Sequence, residues 1–362
     1  MRKLACFFVL VAMGLPLVPL YAQQTAVPAA AMPVVTPLTP EAINMANVAT
    51  LAADQSRPYI MLPEDAPVQS TKDETATKTE PKPPLLPDPA VVRLQILLDQ
   101  YAVSPGVIDG FDGENVRKAV MAVQTMAGVP VTGYADAALL QRLETGQPVI
   151  GSYVIIDEDG TELVDNIPAD YADKAQMEFL GYTSIAEKLA ERFHMDIDLL
   201  KALNPSSGFA VGDTIAVAIT GADRTGEVAR IEADKALRQV RAYDAQGALL
   251  AAYPATIGSE DNPSPSGSYT VEVVAPMPNY TYNPAINFQQ GENTEVLTIP
   301  PGPNGPVGSM WIALSKPTFG IHGTPEPAQI DKTGSHGCIR LTNWDAGELS
   351  QMVKPGVTVD FL

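Results

Sequence analysis

The chain has 362 residues, 46% of them apolar, a net charge of −19, and only three histidines and two cysteines. That length is enough for two or three small domains with a core in at least one of them. The acidity argues against nucleic acid and anionic lipid as partners, and by itself chooses neither fold nor activity.

At the N-terminus, Arg2 and Lys3 precede an apolar run from Leu4 to Leu20 that is broken by Gly14, Pro16 and Pro19. Leu20-Tyr21-Ala22 then reads as a cleavage site before Gln23, so residues 1–22 are expected to be a signal peptide. The run is short for a spanning helix, and an uncleaved anchor is the alternative. Cleavage would leave 21 basic and 42 acidic side chains, a net −21, and would remove Cys6, leaving Cys338 as the sole thiol. No cysteine ends the apolar run, which argues against a lipoprotein, and no later segment is apolar enough to span a membrane. The expected location is periplasmic or cell-envelope, reached through that signal. Residues 23–86 are rich in Pro, Ala, Thr and charge and are expected to form a disordered linker, with a short helix near Glu41–Ala53.

Residues 87–146 change character. Val91, Leu94, Leu97 and Leu98 recur at helical spacing, a Gly-rich turn spans Gly106–Gly113, and Val116–Met126 places Ala119, Val120 and Val123 on one face. Thr132-Gly133-Tyr134 turns the chain, and Asp136 caps a third helix through Leu143. The residues Leu94-Gln95, Val107-Ile108-Asp109-Gly110, Phe111-Asp112-Gly113, Val123-Gln124 and Gly128 to Gly133 make this stretch resemble the three-helix peptidoglycan-binding domain. The family's usual Phe before Gln is Val123 here, and the alternative is a helical spacer without ligand.

Residues 177–220 form a second small unit. Ile185, Leu189 and Phe193 share one helix face, and Leu199, Leu200 and Leu203 another. Asn204-Pro205 stops the second helix, and Val211-Gly212-Asp213 leads into the strand Thr214–Ile219. This strand–helix–helix–strand pattern resembles the α+β lysin motif (LysM), a glycan-binding module. Where that family begins Gly-Asp-Thr-Leu, this chain has Gly181-Tyr182-Thr183-Ser184. His194 lies on a helix flank with no second ligand near it in sequence and reads as a surface or core histidine.

From about residue 225 the pattern turns to β. Arg238–Tyr243 and Ala248–Ile257 bracket Asp244–Gly247 as a hairpin; Ser268–Ala275, Met310–Leu314 and Gly356–Leu362 also read as strands. Pro- and Asn-rich loops fill 276–309, the kind of segment that carries specificity, and Asp345–Met352 reads as a helix.

This β region holds Ile321-His322-Gly323-Thr324 and Ser335-His336-Gly337-Cys338-Ile339-Arg340-Leu341. Acyl transfer needs a nucleophile, a base and oxyanion donors. Cys338 supplies the first, and its thiol needs an imidazole or a positive field to become reactive. In an extended strand His336 would sit on the same side as Cys338, two residues away, whereas His322 must arrive from a neighbouring strand. Gly337 permits close approach, and the Gly337 and Cys338 amides are natural oxyanion donors. Residue types alone leave open a zinc site with one Cys and two His.

Together with Asn343, Asp345, Ile257-Gly258, Pro265 to Tyr269 and Gly305 to Gly308, these two motifs make residues 234–362 resemble the L,D-transpeptidase catalytic domain of the YkuD type. The resemblance implies a multidomain protein: a mainly β, sandwich-like catalytic domain preceded by the three-helix domain and the LysM-like module. It implies that Cys338 attacks the diaminopimelate carbonyl of a peptidoglycan tetrapeptide stem, that D-Ala leaves, and that an amine resolves the thioester. His322 would move the protons with its ring oriented by the Gly323 carbonyl; His336, Gly337 and Cys338 would line the oxyanion pocket. Ser335, Arg340 and Thr324 would contact substrate or shape the site, with a structural ion pair to Asp345 or another nearby acid the other option for Arg340. No metal or cofactor is implied. The partners would be stem peptides and glycan, with an envelope lipoprotein as a possible acceptor. Competing readings are an L,D-carboxypeptidase that uses water, a non-enzymatic wall-binding protein, and a secreted cysteine peptidase.

Overall fold

The computed structural model describes residues 38–52, 86–259 and 262–362. The signal-peptide expectation, 1–22, and most of the linker expectation lie outside these residues.

In the described part of the expected linker a short helix was expected near Glu41–Ala53 and helical structure is found there; what departs from the linker reading is its packing into a core. Residues 40–44 form helix α1 and 49–52 helix α2. Ile43 and Val48 are buried in the same core as the helices that follow. Asn44 fixes the arrangement: its Oδ1 accepts from the Val149 and Ile150 amides at 2.8 and 2.9 Å, and its Nδ2 donates to the Ile150 carbonyl. Composition averaged over 23–86 conceals this short apolar anchor.

Three helices follow: α3 (Pro89–Gln100), α4 (Glu114–Ala127) and α5 (Ala137–Leu143). Asp88 caps α3 through the Ala90 amide, with Pro89 in the first turn; Gly128, at φ 64°, ends α4. Two buried glutamines explain the glycine-rich turns between them. Gln95 Oε1 accepts from the Asp109 and Gly110 amides, and Gln124 Oε1 accepts from the Thr132 and Gly133 amides. Each side-chain amide thus satisfies turn groups that would otherwise be buried unpaired.

Strand β1 (Ile150–Val154) leads, through a segment holding helix α6 (Tyr171–Lys174), to α7 (Ile185–Arg192), α8 (Ile197–Leu203) and β2 (Thr214–Ala218). β1 and β2 pair antiparallel, Ile150 opposite Ala218. The strand that pairs with β2 thus lies at residues 150–154, before the expected 177–220 unit, while within that unit Tyr182 makes only an isolated bridge to Leu163. About 30 residues are inserted between that strand and α7. Asn204 closes the unit, its side chain bonding the Leu200 and Ala216 carbonyls and the Ala216 amide. One apolar core runs from α1 through β2, so the two accessory units pack as one body.

The C-terminal part is one nine-stranded sheet: β3 (Arg230–Asp234), β4 (Gln239–Tyr243), β5 (Leu249–Pro254), β6 (Thr256–Ile257), β7 (Gly267–Pro276), β10 (Met310–Leu314), β11 (Gly320–His322), β12 (Ile339–Arg340) and β13 (Thr358–Phe361). Its order is β5-β4-β3-β13-β7-β10-β11-β12-β6. β8 (Tyr280–Tyr282) and β9 (Leu297–Ile299) form a separate ribbon within the long loop. Only Ala255 separates β5 from β6, yet they lie at opposite ends of the order, so the sheet curls back on itself around a core containing Ile231, Val240, Val271, Ile312, Ile321, Ile339 and Val359. Helix α9 (Asn343–Met352), capped by Thr342, packs Ala346, Leu349 and Met352 into the same core. β3 precedes the expected start at 234 and lies between β4 and β13, so the sheet begins earlier than the motifs suggested.

The two halves meet along β5 and α9. The Ser104 amide bonds the Ala252 carbonyl, and Lys118 forms a buried 2.6 Å ion pair with Asp331.

Candidate active site

β11 and β12 run parallel with His322 opposite Arg340 and Ile321 opposite Ile339. The register turns His322 and Arg340 to one face and the two isoleucines to the core. Cys338, two residues before Arg340, falls on the His322 side. Cys338, His322, Arg340, Ser335 and His336 all line one pocket of about 250 Å³, with walls from Tyr171, Tyr280, Phe288, Trp311 and Phe319.

His322 is buried, and its Nδ1 lies 2.7 Å from the Gly323 carbonyl oxygen. A carbonyl only accepts, so Nδ1 carries the proton and Nε2 keeps its lone pair for the pocket. Burial pushes the imidazole down to about 4, with the Gly323 bond opposing and Arg340 adding to the effect. The ring is therefore a neutral base at neutral pH. Trp311 stacks on it at 5.5 Å from the opposing position on β10. Gly323 is required where it stands, because a Cβ there would lie 2.1 Å from Asn343 Oδ1.

Cys338 Sγ lies 3.6 Å from the Thr318 carbonyl oxygen. Burial pushes its thiol up, while the Gly320 amide and Arg340 pull the other way. The resting pair is a protonated thiol and a neutral imidazole, so reaction requires proton transfer as the sulfur attacks.

The Ser335–Cys338 turn holds the sulfur in place. Ser335 Oγ donates to the Cys338 carbonyl at 2.6 Å and accepts from the Gly258 amide at 2.8 Å. Gly337 adopts φ 101°, and a side chain there would meet Phe319 at 2.8 Å. Residues 336–338 bend rather than extend, yet His336 lines the same pocket as Cys338. Its ring stacks on Phe288 at 4.1 Å, and it makes no hydrogen bond to Cys338 among the described residues. The Gly337 amide, expected as an oxyanion donor, points to Ser335 Oγ at a long 3.3 Å.

Arg340 donates to the Gly334 carbonyl at 3.3 Å and has no carboxylate partner among the described residues. The alternative ion pair with Asp345 does not form: Asp345 is buried on α9 against Ser104 Oγ at 3.0 Å. Thr324 does not line the pocket; it is buried and accepts from the Glu326 amide. His194 stacks on Trp344 and bonds Asp99 at 2.9 Å, a packed core role. No group of three or more His, Cys, Asp or Glu is placed to hold a metal ion among the described residues.

Glu191, Tyr171 and Trp311 escaped sequence reasoning. Asn343 Oδ1 accepts from the Ser309 amide, and its Nδ2 donates to Glu191 of α7 at 3.0 and 3.1 Å. Glu191 therefore reaches from the accessory body to the residue packed against Gly323. Tyr171 and Trp311 join the pocket from distant elements, and no local motif marks them.

Residues 229–360 match the family model described as the L,D-transpeptidase catalytic domain, and residues 87–143 match the "Putative peptidoglycan binding domain". The chain is 33% identical over 122 residues to "Putative L,D-transpeptidase YkuD" of Bacillus licheniformis, covering 34% of this chain and 58% of that protein. It is 51% identical over 57 residues to the protein of the same name from Bacillus subtilis, covering 16% and 35%. A solved L,D-transpeptidase from Mycobacterium smegmatis overlays at 20% identity and TM-score 0.30, covering 43% of this chain and 64% of that one, too loose an overlay to weigh. The matches thus span less than two thirds of each of these proteins. Residues 229–360 of this chain are an L,D-transpeptidase catalytic domain of the YkuD type, preceded at 87–143 by a peptidoglycan-binding domain.

Proposed function

We propose that the protein is an exported L,D-transpeptidase acting on peptidoglycan in the periplasm or cell envelope. The observation that carries this reading is the shared face of β11 and β12, which presents Cys338, His322 and Arg340 to one pocket with the His322 Nδ1 proton held by Gly323.

Cys338 Sγ attacks the diaminopimelate carbonyl of a tetrapeptide stem while His322 Nε2 takes the thiol proton. The tetrahedral oxyanion faces backbone amides of the His336–Cys338 turn, with Gly337 exchanging its long bond to Ser335 for this one. The C–N bond to D-Ala then breaks, and His322 returns the proton to the departing amine. An acceptor amine attacks the thioester, gives its proton to His322 and restores the thiol. Arg340, with no carboxylate partner among the described residues, receives one from the substrate. A diaminopimelate side chain is the proposed acceptor; a lipoprotein lysine or water would use the same acyl-enzyme. The peptidoglycan-binding domain would hold the enzyme on its polymer.

Intact mass after incubation with a carbapenem, beside Cys338→Ala, tests the reading. The expected result is one stoichiometric adduct on the unmodified protein and none on the variant. No adduct on either folded protein, and no D-Ala released from a tetrapeptide stem, would overturn it.

A further inference from the structure

One wall of the pocket comes from neither matched domain. Tyr171 sits on α6, in the segment between β1 and α7, between the two matched stretches 87–143 and 229–360. Its ring meets Tyr280, Tyr282 and Phe288 edge-on at 6.2, 5.3 and 5.9 Å. Phe288 in turn stacks on His336, beside the nucleophile. Tyr171 and Arg340 line the same pocket, and burial raises the Tyr171 phenol above its usual range with the Arg340 charge opposing.

The segment is pinned rather than merely adjacent. The Tyr171 amide donates to Gln290 Oε1 at 3.0 Å, and Gln290 Nε2 donates to the Ala169 carbonyl at 3.1 Å. The Leu180 amide bonds the Pro301 carbonyl at 2.8 Å, and the Asn304 amide bonds the Leu180 carbonyl at 3.0 Å. Gly302 allows this approach, since a Cβ there would stand 2.1 Å from the Leu180 oxygen. These bonds fix the Tyr171 ring over the pocket from outside the catalytic sheet.

We propose that Tyr171 is a specificity-determining residue for the acyl donor: with Tyr280 and Phe288 it forms the wall against which the peptide stem lies while Arg340 takes a stem carboxylate. This rests on the transpeptidase reading above. A stem peptide is long enough to reach that wall, whereas a compact acylating agent is attacked without needing it. An aromatic wall of this kind is worth about tenfold in binding.

The test compares the full-length protein with Tyr171→Ala, Tyr171→Phe and Ile167→Ala. Ile167 packs in the same apolar cluster and does not line the pocket. Two readouts are followed: D-Ala release from a tetrapeptide stem and the rate of carbapenem adduct formation. Tyr171→Ala is expected to raise KM for the stem about tenfold, with kcat and the adduct rate within about threefold. Tyr171→Phe is expected to fall between, and Ile167→Ala to leave KM within about twofold. An unchanged KM in Tyr171→Ala, an equal rise in Ile167→Ala, or a parallel loss of adduct formation would overturn the inference. Inertness of the unmodified protein toward both reagents would instead overturn the transpeptidase reading, and this inference with it.

Discussion

Glu191→Gln tests whether the accessory body and the catalytic domain share one electrostatic junction. The Glu191 residue keeps some exposed surface, but its carboxylate is enclosed, accepting from Asn343 Nδ2 and from the Tyr182 hydroxyl at 3.3 Å. Burial pushes it up from 4.5 to about 7, with the Asn343 bond opposing. A carboxyl whose folded value is raised favours folding fully below pH 4.5, and that contribution is lost as pH rises through about 7. The difference is worth about 3 kcal/mol at 1.4 kcal/mol for each tenfold change in ionisation. Asp345 is also raised to about 7, so the protein's own profile mixes two groups. The gap between the protein and Glu191→Gln isolates one. Urea unfolding at several values between pH 4 and pH 8 is expected to show the variant gaining about 3 kcal/mol on the unmodified protein as pH rises. The glutamine oxygen can still accept from Asn343, so adduct formation at Cys338 should stay within about threefold. A gap that stays constant to within about 1 kcal/mol would refute the enclosed-carboxylate argument.

Further outcomes follow from His322 and Gly337. Because His322 is lowered to about 4, the base stays neutral in mild acid: adduct formation should hold at pH 5 and fall only as pH approaches 4, and an acid limb centred at 6.5 would contradict the buried-base geometry. The same shift means that stability linked to His322 is present above 6.5 and is lost as pH falls through about 4; His322→Gln should slow acylation about 100-fold or more. Gly337→Ala combines φ 101° with a contact at 2.8 Å to Phe319, so it should cost roughly 1–3 kcal/mol in a melt and slow adduct formation at least about tenfold; a variant with unchanged melting and adduct rate would show that the turn does not need glycine.

Much of the molecule was legible locally. Helical spacing over Val91–Leu98 and Val116–Met126, the Asp136 cap, and the alternation in Met310–Leu314 each depend on contacts within a few residues, and α3, α4, α5 and β10 follow them. The meeting of Cys338 and His322 in one pocket was legible because two short motifs concentrate rare residue types. The stacking of His336 on Phe288 was not, because that partner comes from a loop far away in the chain.

What the sequence determined by itself, then, is the candidate residues of the pocket and the local elements around it: one cysteine and two histidines gathered in two short motifs, helix periods and turn glycines. Only the tertiary structure decided that residues 150–154 pair with 214–218, that Ile43 and Val48 belong to a core, that Arg340 has no carboxylate partner among the described residues, and that Tyr171, Trp311 and Glu191 line the pocket or brace it. These are contacts between residues far apart in the chain. They arise from burying apolar faces and satisfying enclosed polar groups across the whole fold, and no local period or motif records which distant partner will supply them.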